Sequence, residues 1–242
     1  MYNYQELFIS LFILLFFFFF FFFFSQILNK LKVVNLSNSK CLTKSPNFSQ
    51  VPKLEILILE GCTRLVEIHE SIGDLGNLVL LNLKGCKSLM NLPSNISNLE
   101  SLKTLDLSGC LKVDKLPNQI GNMMALTELL EDGIPIKQLP SSFGLLKNLE
   151  IALLSGCGEQ PLKSWVSPLS SLMSPKSCSP LLSSLMSSKS LNPVCFLPAS
   201  VSGVHSLTTL SLSGRNLSEI EFPVNFMSLS SLKSLDLSRN NV

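Results

Sequence analysis

Little in this 242-residue chain is equipped for chemistry. It has two histidines, one tryptophan, a charged fraction of only 15% and a formal net charge of +2. So slight a basic excess excludes an electrostatic footprint for nucleic acid or a polybasic membrane patch. No G-x-x-x-x-G-K-(S/T) loop occurs, and Gly156-Cys157-Gly158 lacks the strand–turn–helix setting of a dinucleotide site. The seven cysteines include no C-x-x-C pair and no Cys/His spacing suited to zinc. Their odd number, without cysteine-rich ends, fits a reducing compartment. His69 and His205 read as surface or packing residues, and acid pairs such as Glu131-Asp132 fall at a strand exit with no partner in view. The expectation is a non-enzyme with no cofactor and no metal.

Aromatic residues are also scarce, except at the N-terminus. Residues 1–24 hold 11 of the 16 Phe and both Tyr, leaving only Phe48, Phe143, Trp165, Phe196, Phe222 and Phe226 beyond them. The remaining 218 residues carry 46 Leu instead. A core with so few rings must be built mainly of leucine, which points to a repeated layer. Disorder, collagen and a disulfide-dense mini-protein are excluded by the same composition.

The N-terminal tract has two competing readings. Leu7 to Phe24 is an apolar run broken only by Ser10, just long enough to span a bilayer. A secretory signal fits worse, because no Lys or Arg precedes Lys30, Glu6 stands in the basic region's place, and no small-x-small cleavage site follows. The alternative concerns the gene. Nine consecutive Phe codons are nearly all pyrimidine, and Ser25-Gln26 is encodable as TCT-CAG, the end of a 3′ splice acceptor. Residues 1–26 are therefore expected to be translated intron, with a membrane segment as the literal alternative.

From Leu31 the chain repeats every 23–24 residues. The opening leucines are Leu31, Leu54, Leu78, Leu102, Leu126, Leu149, Leu207 and Leu232, and each begins a variant of L-x-x-L-x-L-x-x-(C/N). A second half-motif, L-P-x-x-(I/F/V)-x-x-(L/M/V), recurs at Leu92-Pro93, Leu116-Pro117, Leu139-Pro140 and Leu197-Pro198. This is the signature of a leucine-rich repeat solenoid, an α/β-type repeat. Its parallel strands should cover residues 3 to 6 of each unit on a concave face, with an irregular or 3₁₀ convex side, since Pro blocks a continuing helix. The organisation expected is a hydrophobic tract at 1–26, repeats over 27–157, a Ser/Pro-rich insertion over 158–196 within repeat six, and repeats again over 197–242. The insertion contains a tandem near-copy, Ser167–Met173 against Ser179–Met186. It should leave on the convex side.

Cys62, Cys86, Cys110 and Cys157 each fall eight residues after an opening Leu, as Asn240 does after Leu232. They should form a buried ladder that satisfies backbone groups where the chain leaves each strand. The sequons at Asn35, Asn47, Asn95 and Asn216 read as unglycosylated in so Ser-rich a chain. Outward strand positions include Ile56, Ile58, Glu60, Leu80, Lys84, Asp106, Glu128, Leu130, Ile151 and Leu153. Free-standing repeats usually carry polar residues there, so the six apolar ones point to an exposed patch that binds protein.

The segments 59–73, 81–89 (Leu-Asn-Leu-Lys-Gly-Cys-Lys-Ser-Leu) and 105–110 (Leu-Asp-Leu-Ser-Gly-Cys) resemble the repeats of plant TIR–NB–LRR disease-resistance proteins of the tobacco mosaic virus resistance type. The likeness covers roughly residues 27–242. It implies an intracellular immune receptor, cytoplasmic or nuclear, whose repeats recognise a pathogen effector or a guarded host protein and hold the receptor's own nucleotide-binding domain inactive. The sequence shows neither a TIR glutamate nor an NB-ARC phosphate loop, and it begins and stops inside the array. The leucines of its first and last units are accordingly expected to face water.

Overall fold

The computed structural model describes residues 28–136, 139–156, 203–215 and 229–240. Eight short strands form one parallel sheet in simple sequence order. They are β1 (Val33–Asn35), β2 (Ile56–Ile58), β3 (Leu80–Asn82), β4 (Thr104–Asp106), β5 (Glu128–Leu130), β6 (Ile151–Leu153), β7 (Thr209–Ser211) and β8 (Ser234–Asp236). Each covers positions 3 to 5 of its unit, one residue shorter than expected. Position 6 (Leu59, Leu83, Leu107) still points inward and is fully buried. The chain already turns there, because the next residue but one adopts a left-handed conformation. Gly61, Gly85, Gly109, Gly133 and Gly214 have φ between 64° and 73°. That is the region glycine enters without steric cost.

The leucine layers follow from the period of the sequence. Positions 1 and 4, such as Leu54 and Leu57, Leu78 and Leu81, Leu102 and Leu105, are fully buried. Short 3₁₀ turns lie across the opposite side, at Glu70–Asp74, Ser94–Asn98, Ile120–Asn122 and Ser141–Leu145. They send Ile72, Ile96, Ile120 and Phe143 into the same core. Pro93 and Pro140 stand just before two of these turns with extended backbone, ψ 142° and 150°. His69 takes the proline's place in its repeat and caps the turn instead, its Nδ1 accepting the Ser71 N–H at 3.1 Å.

The sheet runs on across the insertion. β6 pairs in register with β7, Ile151 with Thr209 and Leu153 with Ser211. At the two ends of the sheet, Val33 is 50% exposed and Leu235 36% exposed. The Phe tract, Cys157 and residues 158–196 lie outside the described residues.

Candidate interaction face and inner ladder

After β2, β3 and β4 a thiol reaches back to the preceding repeat. Cys62 Sγ donates to Leu36 O at 3.1 Å, Cys86 Sγ to Leu59 O at 3.2 Å, and Cys110 Sγ to Leu83 O at 3.2 Å. Asn240 Nδ2 makes the same bond to Leu212 O at 3.0 Å. Cys86 and Cys110 have thiol pKa values pushed up to about 12, first by burial and then by the neighbouring cysteine. They therefore remain neutral donors, and the three thiols do structural work. Cys157, expected as a further rung, lies outside the described residues.

Two rungs depart from the pattern, at Ile134 and Arg215. Ile134 stands where a cysteine is expected and is fully buried, with no donor to offer. In the same repeat, Glu131 occupies the inward leucine position and has no exposed surface. The expectation that this acid lacks a partner at a strand exit is incorrect. Arg215 takes a ladder position after the insertion, and its Nη2 lies 3.8 Å from Glu131 Oε2. Arg215 Nε donates to Leu154 O, the carbonyl a cysteine would have bonded, and Nη1 donates to Ile136 O. Burial raises the Glu131 carboxyl to about 8, with Arg215 acting in the opposite direction. Both Glu131 oxygens and Arg215 Nη2 lack a hydrogen-bond partner. The sequence carried a signal for this pair: a Glu in a leucine column and an Arg in a cysteine column.

The outward face is set by register. Along one row stand Val33, Ile56, Leu80, Thr104, Glu128, Ile151, Thr209 and Ser234; along the next, Asn35, Ile58, Asn82, Asp106, Leu130, Leu153, Ser211 and Asp236. Glu60 and Lys84 lie just beyond the strands, where their carbonyls accept from Asn38 N and Gly61 N in turn. The apolar residues are thus not one continuous patch. Val33, Ile56, Ile58 and Leu80 form a group on β1–β3, and Leu130, Ile151 and Leu153 form another on β5–β6. Asn82, Thr104, Asp106 and Glu128 separate the two, with Thr104 Oγ1 donating to Glu128 Oε2 at 3.2 Å. The six apolar positions named from the sequence are all half-buried.

Position 5 shows what the fold itself prefers. In four strands it is Asn or Asp, and its side chain closes a local turn by accepting the N–H two residues on. Asn35 does so for Ser37, Asn82 for Lys84, Asp106 for Ser108 and Asp236 for Ser238, each at 2.9 Å. Ile58, Leu130 and Leu153 stand at the same position and forgo that bond. A side-chain bond of this kind contributes roughly 0.5–1.5 kcal/mol, so the fold does not call for apolar residues there.

Among the described residues no group of three or more His, Cys, Asp or Glu could hold a metal ion, and no helix is long and apolar enough to cross a membrane.

A leucine-rich repeat region model matches residues 30–174. TMV resistance protein N of Nicotiana glutinosa is 33% identical over 252 residues, covering 88% of this chain and 22% of that protein. Disease resistance protein RPV1 of Vitis rotundifolia is 46% identical over 48 residues, 20% of this chain and 3% of its own length. The chain thus spans less than a quarter of either relative. Among solved structures, the ectodomain of the membrane receptor kinase GASSHO1/SCHENGEN3 of Arabidopsis thaliana superposes with a TM-score of 0.53 at 22% identity, covering 88% of this chain and 24% of that one. The plant peptide hormone receptor RGFR1 gives 0.52 at 23% identity, covering 88% and 33%. These two likenesses concern the fold.

Proposed function

The chain belongs to the leucine-rich repeat family, and from that membership we propose that it is the non-catalytic recognition module of an intracellular plant immune receptor of the TIR–NB–LRR type. The fold is a protein-interaction scaffold. The observation that carries the reading is the substitution of Ile58, Leu130 and Leu153 for turn-closing Asn or Asp on an open sheet face. A local bond is given up for half-exposed apolar surface, which is useful when a partner covers it. The span and identity shared with TMV resistance protein N support the receptor type. On this reading the face meets a pathogen effector, a guarded host protein, or the receptor's own nucleotide-binding domain, and it works in the cytoplasm or nucleus without catalysis.

The other reading makes Leu7–Phe24 an anchor and the repeats a ligand-binding domain outside the cytosol; the length of that apolar run is what favours it. One experiment separates the two. The mature transcript is sequenced across the codons for Phe16 to Ile27, and the full-length product is expressed in leaf tissue with and without Leu130→Asp/Ile151→Asp. Removal of the Phe codons by splicing, with a frame continuing upstream into TIR and nucleotide-binding sequence and a cell-death response altered by the double substitution, is the expected result. Retained Phe codons behind a genuine start would overturn the receptor reading.

A further inference from the structure

The two register rows share one pattern, shifted by a strand. Across β2 to β5 the second row reads Ile58, Asn82, Asp106, Leu130; across β3 to β6 the first reads Leu80, Thr104, Glu128, Ile151. Each row is therefore apolar, neutral polar, acidic, apolar over four neighbouring strands. Strands lie about 4.8 Å apart, so the apolar ends of each row are about 14 Å apart.

Charge on this face departs from that of the chain. The strand rows and the residues just beyond them carry Glu60, Asp106, Glu128, Asp132 and Asp236 against Lys84, five carboxylates to one ammonium. Residues at the strand starts alternate in sign (Lys32, Glu55, Lys103, Glu150, Lys233), and Lys32 pairs with Glu55 at 2.7 Å, so they leave the face acidic. The whole chain carries +2. The basic residues gather instead beyond the strand exits, where Lys40, Arg64, Lys87 and Lys112 are exposed on successive repeats.

We infer that this face takes an extended polypeptide segment of the form apolar–x–Lys/Arg–x–apolar, laid across the strands with its cation at Asp106 or Glu128. An extended chain rises about 3.3 Å per residue and turns alternate side chains to one side, so residues i and i+4 of such a segment are about 13 Å apart. That matches the apolar spacing of either row, and residue i+2 then points at the acidic stretch between them. Each acid has a half-buried apolar neighbour on one side, Leu130 beside Asp106 and Ile151 beside Glu128, and a segment laid over them would shut out water and so strengthen the carboxylate's attraction for a cation. An acidic or purely apolar segment would leave Asp106 or Glu128 covered and unpaired. This inference rests on the recognition role proposed above.

The test is selection of a random twelve-residue display library on the full chain. The enriched peptides are then titrated against the parent, Asp106→Asn/Glu128→Gln and Leu130→Ser/Ile151→Ser, at low and high salt. The expected result is enrichment of a basic residue two positions from an apolar one on each side, with affinity falling about tenfold or more in both variants and on raising the salt. Peptides that lack a basic residue, or that ignore the carboxylate substitutions yet lose affinity in Leu130→Ser/Ile151→Ser, would overturn the inference while leaving the recognition face standing. Peptides indifferent to both variants would overturn the recognition face as well. Displacement of the probes by a synthetic peptide of residues 160–193 would assign the face to the chain's own insertion and so overturn the commitment to a separate partner.

Discussion

Glu131 and Arg215 meet in the core at 3.8 Å, one from before the Ser/Pro-rich insertion and one from after it. Each replaces an apolar or thiol residue of the repeat, and neither makes sense without the other. Arg215 also bonds the carbonyls of Leu154 and Ile136, so it joins the repeat of β5 to that of β7 past the intervening β6.

Removing Glu131 alone leaves the Arg215 guanidinium buried without its counterpart. Glu131→Leu is expected to cost about 3–5 kcal/mol, whereas Glu131→Leu/Arg215→Cys, which restores the repeat's own residues, should come within about 1 kcal/mol of the parent or exceed it. Urea denaturation of the four proteins in a double-mutant cycle measures both. A double variant as unstable as the sum of the singles would show that the two sites are uncoupled.

The same pair fixes a pH dependence. Burial lifts Glu131 from 4.5 to about 8, so the native state holds this proton more tightly than the unfolded chain. The stability it contributes is complete below about pH 4.5 and is lost as pH rises through about 8, with a slope of at most about 1.4 kcal/mol per pH unit. Asp236, lowered mainly by its hydrogen bonds from Ser238, acts as pH falls through the acid range. Cys86 and Cys110, raised from 9.0, act only above that value. The urea midpoint should therefore decline between pH 5 and 8, and the decline should flatten in Glu131→Leu/Arg215→Cys.

Thiol reactivity should divide by position in the fold. At pH 8, iodoacetamide followed by peptide mapping is expected to label exposed Cys41 within minutes and to spare Cys62, Cys86 and Cys110 until the protein is unfolded, since all three are buried from the reagent and burial also suppresses the reactive thiolate at Cys86 and Cys110. Cys86→Ala should cost about 1–2 kcal/mol, the lost bond to Leu59 O together with a small cavity. Rapid labelling of Cys86 in the native protein would contradict the ladder.

On the convex side, adjacent 3₁₀ turns approach too closely for a side chain. A Cβ on Gly121 would fall 2.2 Å from Ser142 O and 2.9 Å from Leu145 Cβ. Gly121→Ala is expected to destabilise by about 1–3 kcal/mol, visible as a lower Tm. Gly76→Ala, with open space around it, provides the control and should change stability little.

Much of this was written in the sequence. Spacing of Leu31, Leu54, Leu78 and their successors determined the solenoid, because a fixed period of inward leucines has one way to be buried, by stacking on its neighbours. The thiol ladder was legible for the same reason, since Cys62, Cys86 and Cys110 recur at one position of the unit. Two things needed the tertiary structure. Parallel pairing set which outward residues are neighbours, and so divided the six apolar positions into two groups and placed Asp106 and Glu128 between them. Direct pairing of β6 with β7 brought Arg215 to Glu131 across the insertion. A repeat pattern describes each unit in isolation, whereas contacts between units depend on register, and register is decided only when the strands pair.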